Sequence, residues 1–138
     1  DQHGHVAGDA VLCEIARRLQ RNLRACDLLS RYGGEEFMVV LPETPTEEAA
    51  VLSERLRTAV AASPMRLKDG ATVSVTVSIG VSAGLIDPRM SERRTGTHDA
   101  VPPGLGPLLP VFEAADTALY RAKESGRNRV EFNAASHL

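Results

Sequence analysis

The spacing of apolar residues predicts amphipathic helices that alternate with short strands. After Gly8 and Asp9, apolar residues recur every three or four positions and share one helical face: Val11, Leu12, Ile15, Ala16, Leu19 and Leu23. Asp9 is a candidate cap for this helix, because its carboxylate can accept hydrogen bonds from free backbone N–H groups. A second amphipathic helix is predicted from about Thr46, a possible cap, to Ala62.

Strands are predicted around a glycine pair and in the middle of the chain. Leu28–Arg31 and Phe37–Leu41 flank Gly33-Gly34, and glycines supply turn conformations that other residues resist, so this region predicts a β-hairpin. Between Val73 and Val81, valine and isoleucine alternate with serine and threonine, which is typical of a strand with one face on the core. A short last strand is predicted at Arg129–Phe132.

The third helix is predicted from about Val111 to Ser125, and Gly126 is expected to end it in a left-handed conformation. Its inward positions are Phe112, Ala115, Leu119 and Ala122. The segment before it, 84–110, is rich in proline and glycine and predicts an exposed, at least partly disordered loop.

This order of elements predicts an α+β domain with a mainly antiparallel sheet flanked by helices. We expect the domain to span residues 1–133, with 84–110 as a flexible loop insertion and 134–138 as a tail.

Composition excludes several classes of protein. The chain has 138 residues and a net charge of -2, so it has no bulk basic field that would attract nucleic acid. Cys13 and Cys26 make neither a disulfide framework nor a metal-ligand pattern. We expect both to be reduced thiols in the cytoplasm, with Cys13 packed in its helix. No apolar run approaches the roughly 20 residues of a membrane span, and no membrane segment is predicted.

The segment Arg31–Phe37, RYGGEEF, is the strongest candidate for chemistry. It places Glu35 and Glu36 directly after the glycine pair, where the missing side chains let a phosphate-bearing ligand approach the backbone. A carboxylate there can hold Mg²⁺, which prefers hard oxygen ligands and bridges to substrate phosphates. Taken alone, the same residues also fit a tight turn with solvated acids.

The surrounding motifs extend this signal over most of the chain. RYGGEEF resembles the signature of the GGDEF family in its GGEEF variant, and three further segments resemble family motifs in the family's order: His3–Asp9, Val77–Val81 and Ala115–Asn128. The run Arg24–Phe37 is particularly similar to the PleD-type response-regulator cyclases. The resemblance implies the nucleotidyl-cyclase and polymerase palm fold, which is ferredoxin-like. It also implies a diguanylate cyclase, which condenses two GTP molecules into cyclic di-GMP and pyrophosphate.

The resemblance also assigns roles to residues of the substrate site. Glu35 would bind Mg²⁺ or Mn²⁺, Glu36 would sit beside the site, Gly33 and Gly34 would line the GTP phosphates, and Asp9 would accept hydrogen bonds from guanine. Lys123 and Arg127 would contact phosphates, and their spacing of four predicts that they project from one helical face. By spacing alone, these two cations also fit solvated residues that the helix dipole favours.

Arg24 and Asp27 form an RxxD motif, which in the family is the inhibitory product site, and Arg55 matches a further arginine of that site. Arginine suits this role because its planar guanidinium grips phosphate or stacks on guanine. Without the resemblance, Arg24 and Asp27 would read as an ordinary surface ion pair.

In the family, a first strand with a second metal-binding carboxylate and a guanine-reading asparagine precedes the position of Asp1. The 138-residue chain is therefore expected to be inactive alone. Its parent protein is expected to form a catalytic homodimer and to carry an upstream regulatory domain. The alternative is a non-catalytic module that senses cyclic di-GMP. A generic nucleotide-binding palm domain that takes another nucleotide is a weaker alternative.

Overall fold

The computed structural model describes residues 4–85 and 106–134, with the side chains of 4–7, 107 and 134 excepted. The elements in chain order are α1 (Gly4–Arg21), β1 (Leu28–Arg31), β2 (Phe37–Val40), α2 (Thr46–Ala61), β3 (Met65–Arg66), β4 (Thr72–Val73), β5 (Ile79–Ala83), a 3₁₀-helix (Gly106–Leu108), α3 (Leu109–Glu124) and β6 (Val130–Ala134). The mixed α+β architecture predicted from the sequence is confirmed, and β6 runs one residue past the predicted domain end.

The core lies between α1 and α2, as their apolar spacing predicts. Its buried members are Ile15, Leu19, Leu52, Leu56, Val60 and Met65. Both predicted caps are wrong. Asp9 lies inside α1, which begins at Gly4, and the position before α2 is Pro45, with no side-chain cap hydrogen bond. Cys13 is exposed on α1 rather than packed against the core.

The predicted hairpin is confirmed, with β1 and β2 antiparallel and Arg31 opposite Phe37. The prediction of one continuous strand across Val73–Val81 is wrong, because the ladder is interrupted within this segment. Thr72–Val73 pairs with Met65–Arg66, whereas Ile79–Ala83 pairs in parallel with Val130–Ala134. Residues 74–78 between them have no ladder partner among the described residues, although Val75 and Val77 still pack against the core.

Helix α3 lies directly on β5 at Gly80. A Cβ added there would lie 2.2 Å from the backbone oxygen of Ala115 and 2.3 Å from the backbone nitrogen of Leu119. The buried stripe of the helix is Ala114, Ala118 and Ala122, of which only Ala122 was predicted to face inward. The small alanine side chains on the helix and the lack of a side chain at Gly80 together permit this close approach.

The start of α3 differs from the prediction, whereas its end agrees with it. The helix begins at Leu109 with Pro110 in its first turn, so the predicted loop 84–110 ends before it; residues 86–105 lie outside the described ranges. Gly126 has a φ of 112°. Its N–H donates to Lys123 O at 3.4 Å, and the next N–H, from Arg127, donates to Ala122 O at 2.9 Å. These two bonds form a Schellman motif, which confirms the predicted glycine stop.

A search of the described residues for membrane-crossing helices finds none that combines the necessary length and apolar character.

Candidate functional site

The turn of the hairpin is held by hydrogen bonds from both sides. Arg31 reaches over it, with Nε 3.3 Å from Gly33 O and Nη2 2.6 Å from Gly34 O. From the other side, the N–H groups of Tyr32 and Gly33 donate to Glu36 O at 3.1 Å and 3.4 Å. The backbone that carries the predicted site residues is therefore fixed by contacts within the motif itself.

Of the two glycines, only Gly33 is required for space, and neither is required for its backbone conformation. Neither has the positive φ that the sequence argument assumed, so that part of the prediction is wrong. A Cβ at Gly33 would lie 2.9 Å from Glu36 Oε2 and 3.2 Å from Glu36 Cβ. A Cβ at Gly34 would meet nothing within 4 Å. Gly33 thus makes room for the Glu36 side chain, and Gly34 faces open space into which a ligand can approach.

The two carboxylates of the motif have different surroundings. Glu35 is exposed at the turn, whereas Glu36 is half-buried and folds back toward Tyr32. Burial raises the pKa of Tyr32, and the negative charge of Glu36 raises it further. Glu35 is therefore the carboxylate that is accessible to a ligand, and its metal-binding role stays a prediction. Glu36 lies beside it and packs toward the protein.

Tyr32 connects the hairpin to α3. Its ring meets that of Phe112 edge to face, with centroids 5.6 Å apart and an interplanar angle of 79°. This geometry is a favoured one for aromatic pairs. The contact joins residues that lie 80 positions apart and sets the hairpin against the first turns of α3.

The predicted phosphate-binding cations lie at the end of α3 but not on one helical face. Lys123 is in the last turn, whereas Arg127 lies beyond the end of the helix, in a turn where its φ is 61°. The prediction that both project from one helical surface is therefore wrong. Both side chains are exposed, and neither forms an ion pair within residues 4–85 and 106–134.

Arg24 and Asp27 form the pair that the RxxD spacing suggested. The Asp27 side chain is fully buried, and its Oδ1 lies 2.9 Å from Arg24 Nη2. Its Oδ2 accepts from the Arg24 backbone N–H at 2.7 Å and from Nε at 3.2 Å. The hydrogen bonds from the Arg24 side chain hold the pKa of Asp27 below its usual range, against the opposing effect of burial. Asp27 thus orients Arg24 instead of facing solvent.

A shallow cavity of about 380 Å³ lies beside Arg24. It is lined by Arg24, Thr44, Glu47, Glu48, Val51, Leu52 and Arg55. The structure therefore brings Arg24 and Arg55 to one cavity, whose apolar lining is Val51 and Leu52. Arg24 Nη2 also donates to Thr44 Oγ1, which fixes the guanidinium at the rim. A second cavity, of about 340 Å³ beside Pro110 and Asn133, contains none of the predicted site residues.

The predicted residues thus fall into separate groups: the hairpin tip, the end of α3, the Arg24 cavity, and Asp9, exposed on α1. Sequence reasoning missed the contacts that hold these groups, which are made by Arg31, Tyr32, Phe112 and Thr44. Of these four residues, only Arg31 and Tyr32 could have been singled out from the sequence, because they lie directly before the glycine pair.

The hairpin tip fits one part of a magnesium site. Glu35 offers hard oxygen atoms beside the open space at Gly34, and Mg²⁺ is commonly bound by one or two carboxylates together with substrate phosphates. Within residues 4–85 and 106–134, no three His, Cys, Asp or Glu side chains converge as a ready-made metal cluster. Glu35 would therefore contribute one ligand, with phosphate oxygens and water as others.

Comparison with known proteins decides the family. The model of the diguanylate cyclase GGDEF domain matches residues 1–92, two thirds of the chain. The chain belongs to the GGDEF family. The resemblance carried by RYGGEEF is thereby confirmed.

Relatives of this GGDEF domain are longer proteins. It is 44% identical over 131 residues to the diguanylate cyclase DgcP of Pseudomonas aeruginosa, covering 95% of this chain and 17% of DgcP. It is 42% identical over 136 residues to the response regulator PleD of Caulobacter vibrioides, covering 98% of this chain and 26% of PleD. The GGDEF domain thus spans between a sixth and about a quarter of these relatives.

A solved structure confirms the fold. The GGDEF domain of DgcB from Caulobacter crescentus, in complex with c-di-GMP, superposes with a TM-score of 0.73 and 31% identity. The match covers 99% of this chain and 70% of that one. The palm fold expected from the sequence resemblance is therefore shown by a structural neighbour as well as by sequence.

Proposed function

We propose that this domain acts in a diguanylate cyclase that joins two GTP molecules into cyclic di-GMP with release of pyrophosphate. The observation that carries the proposal is the hairpin tip. There, an exposed carboxylate, Glu35, stands beside the open backbone of Gly34, in a turn fixed by Arg31. Family membership and the cyclase names of the relatives support the same activity.

In the proposed reaction, the 3′-hydroxyl oxygen of each GTP attacks the α-phosphorus of the other. A new P–O bond forms, the bond between the α-phosphorus and the bridging oxygen breaks, the hydroxyl proton is lost, and pyrophosphate leaves. Glu35 would hold Mg²⁺, or Mn²⁺ in its place, and the bound ion would neutralise phosphate charge. Asp9 would accept from guanine, and Lys123 and Arg127 would bind phosphate, so catalysis rests on positioning and charge.

The reaction joins two GTP molecules through two such bonds, and each domain would hold one GTP, so the proposal requires two domains face to face. A homodimer regulated by another domain of the protein is the arrangement we propose. We propose the cytoplasm as the location of this reaction, because GTP is its substrate. That the 138 residues are inactive alone stays a prediction.

We also propose feedback inhibition by cyclic di-GMP at the Arg24 cavity. Arg24 and Arg55 line one cavity together with the apolar Val51 and Leu52. That combination suits a ligand with phosphates and flat purine faces. The carboxylates of Glu47 and Glu48 at the same cavity oppose anion binding, so the buried anchor at Asp27, which holds Arg24 in place, is essential to the proposal.

The Glu35→Gln variant of the natural-length protein tests the cyclase proposal. The change removes a charge at nearly constant volume on an exposed side chain, so we expect no loss of folding and no detectable cyclic di-GMP from GTP and Mg²⁺. Glu113→Gln, which neutralises an exposed carboxylate on α3, is the matched control and should stay active. Turnover by Glu35→Gln near that of Glu113→Gln would refute the assignment.

The same experiment separates the cyclase from a cyclic di-GMP sensor. The Arg24 cavity alone would support binding without synthesis. In that case, the unsubstituted protein would bind cyclic di-GMP in calorimetric titration and yet form none from GTP. Synthesis by the unsubstituted protein together with loss in Glu35→Gln excludes the sensor function as the sole activity.

A further inference from the structure

The turn after α3 has an unusual backbone. Arg127 and Asn128 follow one another with φ values of 61° and 46°. Residues other than glycine rarely adopt positive φ, since the side chain then crowds the backbone, and such strain persists only where surrounding contacts fix it. Arg127 is one of the two residues proposed to bind phosphate, so the strained segment carries a proposed substrate-binding group.

Contacts from α3 and β5 hold the two ends of this turn. The Arg127 N–H donates to Ala122 O at 2.9 Å, and Arg129 Nη1 lies 2.6 Å from Ser125 O. The Ile79 N–H donates to Arg129 O at 2.9 Å. These bonds fix the entry and the exit, but they leave the side chain of Asn128 to be held from elsewhere.

That hold comes from α2. Arg57 Nη1 donates to Asn128 Oδ1 at 2.8 Å, across 71 positions of sequence. The other nitrogen atoms of the guanidinium are taken by Glu54, with Nε 3.0 Å from Oε2 and Nη2 against Oε1. The Arg57 side chain is 20% exposed. Glu54 thus fixes the plane of the guanidinium, and the remaining edge is directed at Asn128.

We infer that Arg57 is a positioning residue for the cyclase reaction, which holds the 127–128 turn so that the Arg127 guanidinium meets the phosphates of GTP. The inference rests on the proposed function, because it takes Arg127 as the phosphate-binding group. Glu54 is exposed, and an ion pair with an exposed partner stabilises a fold little. The main effect of Arg57 is therefore to orient Asn128 through the hydrogen bond from Nη1.

Kinetics of the natural-length protein test this inference. Arg57→Lys keeps a positive charge near Glu54 but loses the planar fork that also reaches Asn128. We expect kcat/KM for GTP to fall about tenfold, as for one charge-assisted hydrogen bond lost, with Tm unchanged. Arg17→Lys is the matched control, because the exposed Arg17 makes the same i,i+3 pair with Glu14, at 2.6 Å, on α1.

A second variant separates positioning from folding. Asn128→Gly removes the amide that Arg57 holds, while glycine accepts the positive φ. It should lower kcat/KM to a similar degree, and the double variant should be no worse than either single one, because both changes break the same bond. Hydrogen exchange of amides 126–129 should be faster in each. Unchanged kcat/KM in Arg57→Lys, losses that multiply in the double variant, or losses that merely follow a lower Tm would overturn the inference.

Failure of the proposed function gives a different result. In that case, the unsubstituted protein forms no cyclic di-GMP, and titration with GTP replaces turnover. An affinity for GTP that is the same in Arg57→Lys and Arg17→Lys then overturns the role of Arg57, whereas a tenfold weaker affinity in Arg57→Lys alone supports it.

Discussion

A methyl group at Gly80 is the sharpest test of how α3 packs on the sheet. In Gly80→Ala, the new Cβ would lie 2.2 Å from Ala115 O, 2.3 Å from Leu119 N and 2.8 Å from Leu119 Cα. Ordinary contact begins at 3.4 Å, so the helix backbone would have to retreat by more than 1 Å. All three atoms belong to the backbone, so no change of rotamer relieves the clash.

The retreat would separate the buried stripe at Ala114, Ala118 and Ala122 from β5. Overpacking of a core costs about 1–3 kcal/mol, and we expect the upper end here, about 3 kcal/mol, because the obstacle is backbone. With a urea m-value of about 2 kcal/mol/M, the unfolding midpoint should fall by about 1.5 M. That loss is a large fraction of the roughly 5–15 kcal/mol that stabilises a domain.

The assay is urea unfolding, followed by hydrogen exchange of peptides from α3 so that the transition of this domain is observed directly. Gly8→Ala is the matched control, because Gly8 lies in α1 and a Cβ there meets nothing within 4 Å. Alanine is the better helix former, so that variant should be as stable as the original or more so. A Gly80→Ala midpoint equal to that of Gly8→Ala would refute the close packing of α3 on β5.

Three further predictions concern arginines and their partners. Arg18 donates to Val60 O at 2.8 Å and Ser63 O at 2.7 Å, so it provides hydrogen bonds to carbonyl groups at the end of α2. Arg18→Ala should therefore lower the free energy of unfolding by about 1.5–3 kcal/mol. The urea midpoint should fall, and an unchanged midpoint would contradict the prediction. Because Arg24 depresses the pKa of Asp27, their pairing stabilises the fold above the unfolded pKa of about 4 and is lost as pH falls through the lower folded pKa. Acid unfolding should thus lose stability less steeply below about pH 4 in Asp27→Asn, and equal slopes would argue against the pair. Arg24→Ala should weaken cyclic di-GMP binding about tenfold or more in calorimetric titration, whereas the exposed Arg66→Ala should not; equal affinities would exclude the Arg24 cavity.

Local patterns in the sequence predicted the elements and the motif. The spacing of Ile15 and Leu19 identified the buried face of α1, since a helix repeats every 3.6 residues whatever it packs against. The glycine pair between two β-rich stretches predicted the hairpin, and RYGGEEF with its companion motifs indicated the family. These patterns depend only on residues close together in the sequence, so they can be recognised without the tertiary structure.

Boundaries and caps were less predictable because they depend on neighbours. Alternation across Val73–Val81 correctly placed Val75, Val77 and Ile79 against the core. It could not show that the ladder stops after Val73 and resumes at Ile79 with β6 as partner. A ladder needs a second strand, which period-two alternation does not identify. Likewise, Asp9 could cap a helix only if the helix began there, and α1 begins at Gly4.

The tertiary structure alone decided what holds the candidate site. The partners of Tyr32 on α3 and of Asn128 on α2 lie 80 and 71 positions away, and nothing in either residue's own neighbourhood points to them. Glycine is required at position 33 because the Glu36 carboxylate lies against it, and not because the turn needs a conformation special to glycine. Such contacts depend on how helices and strands meet in space, so sequence supplied the chemical groups and packing determined which of them act together.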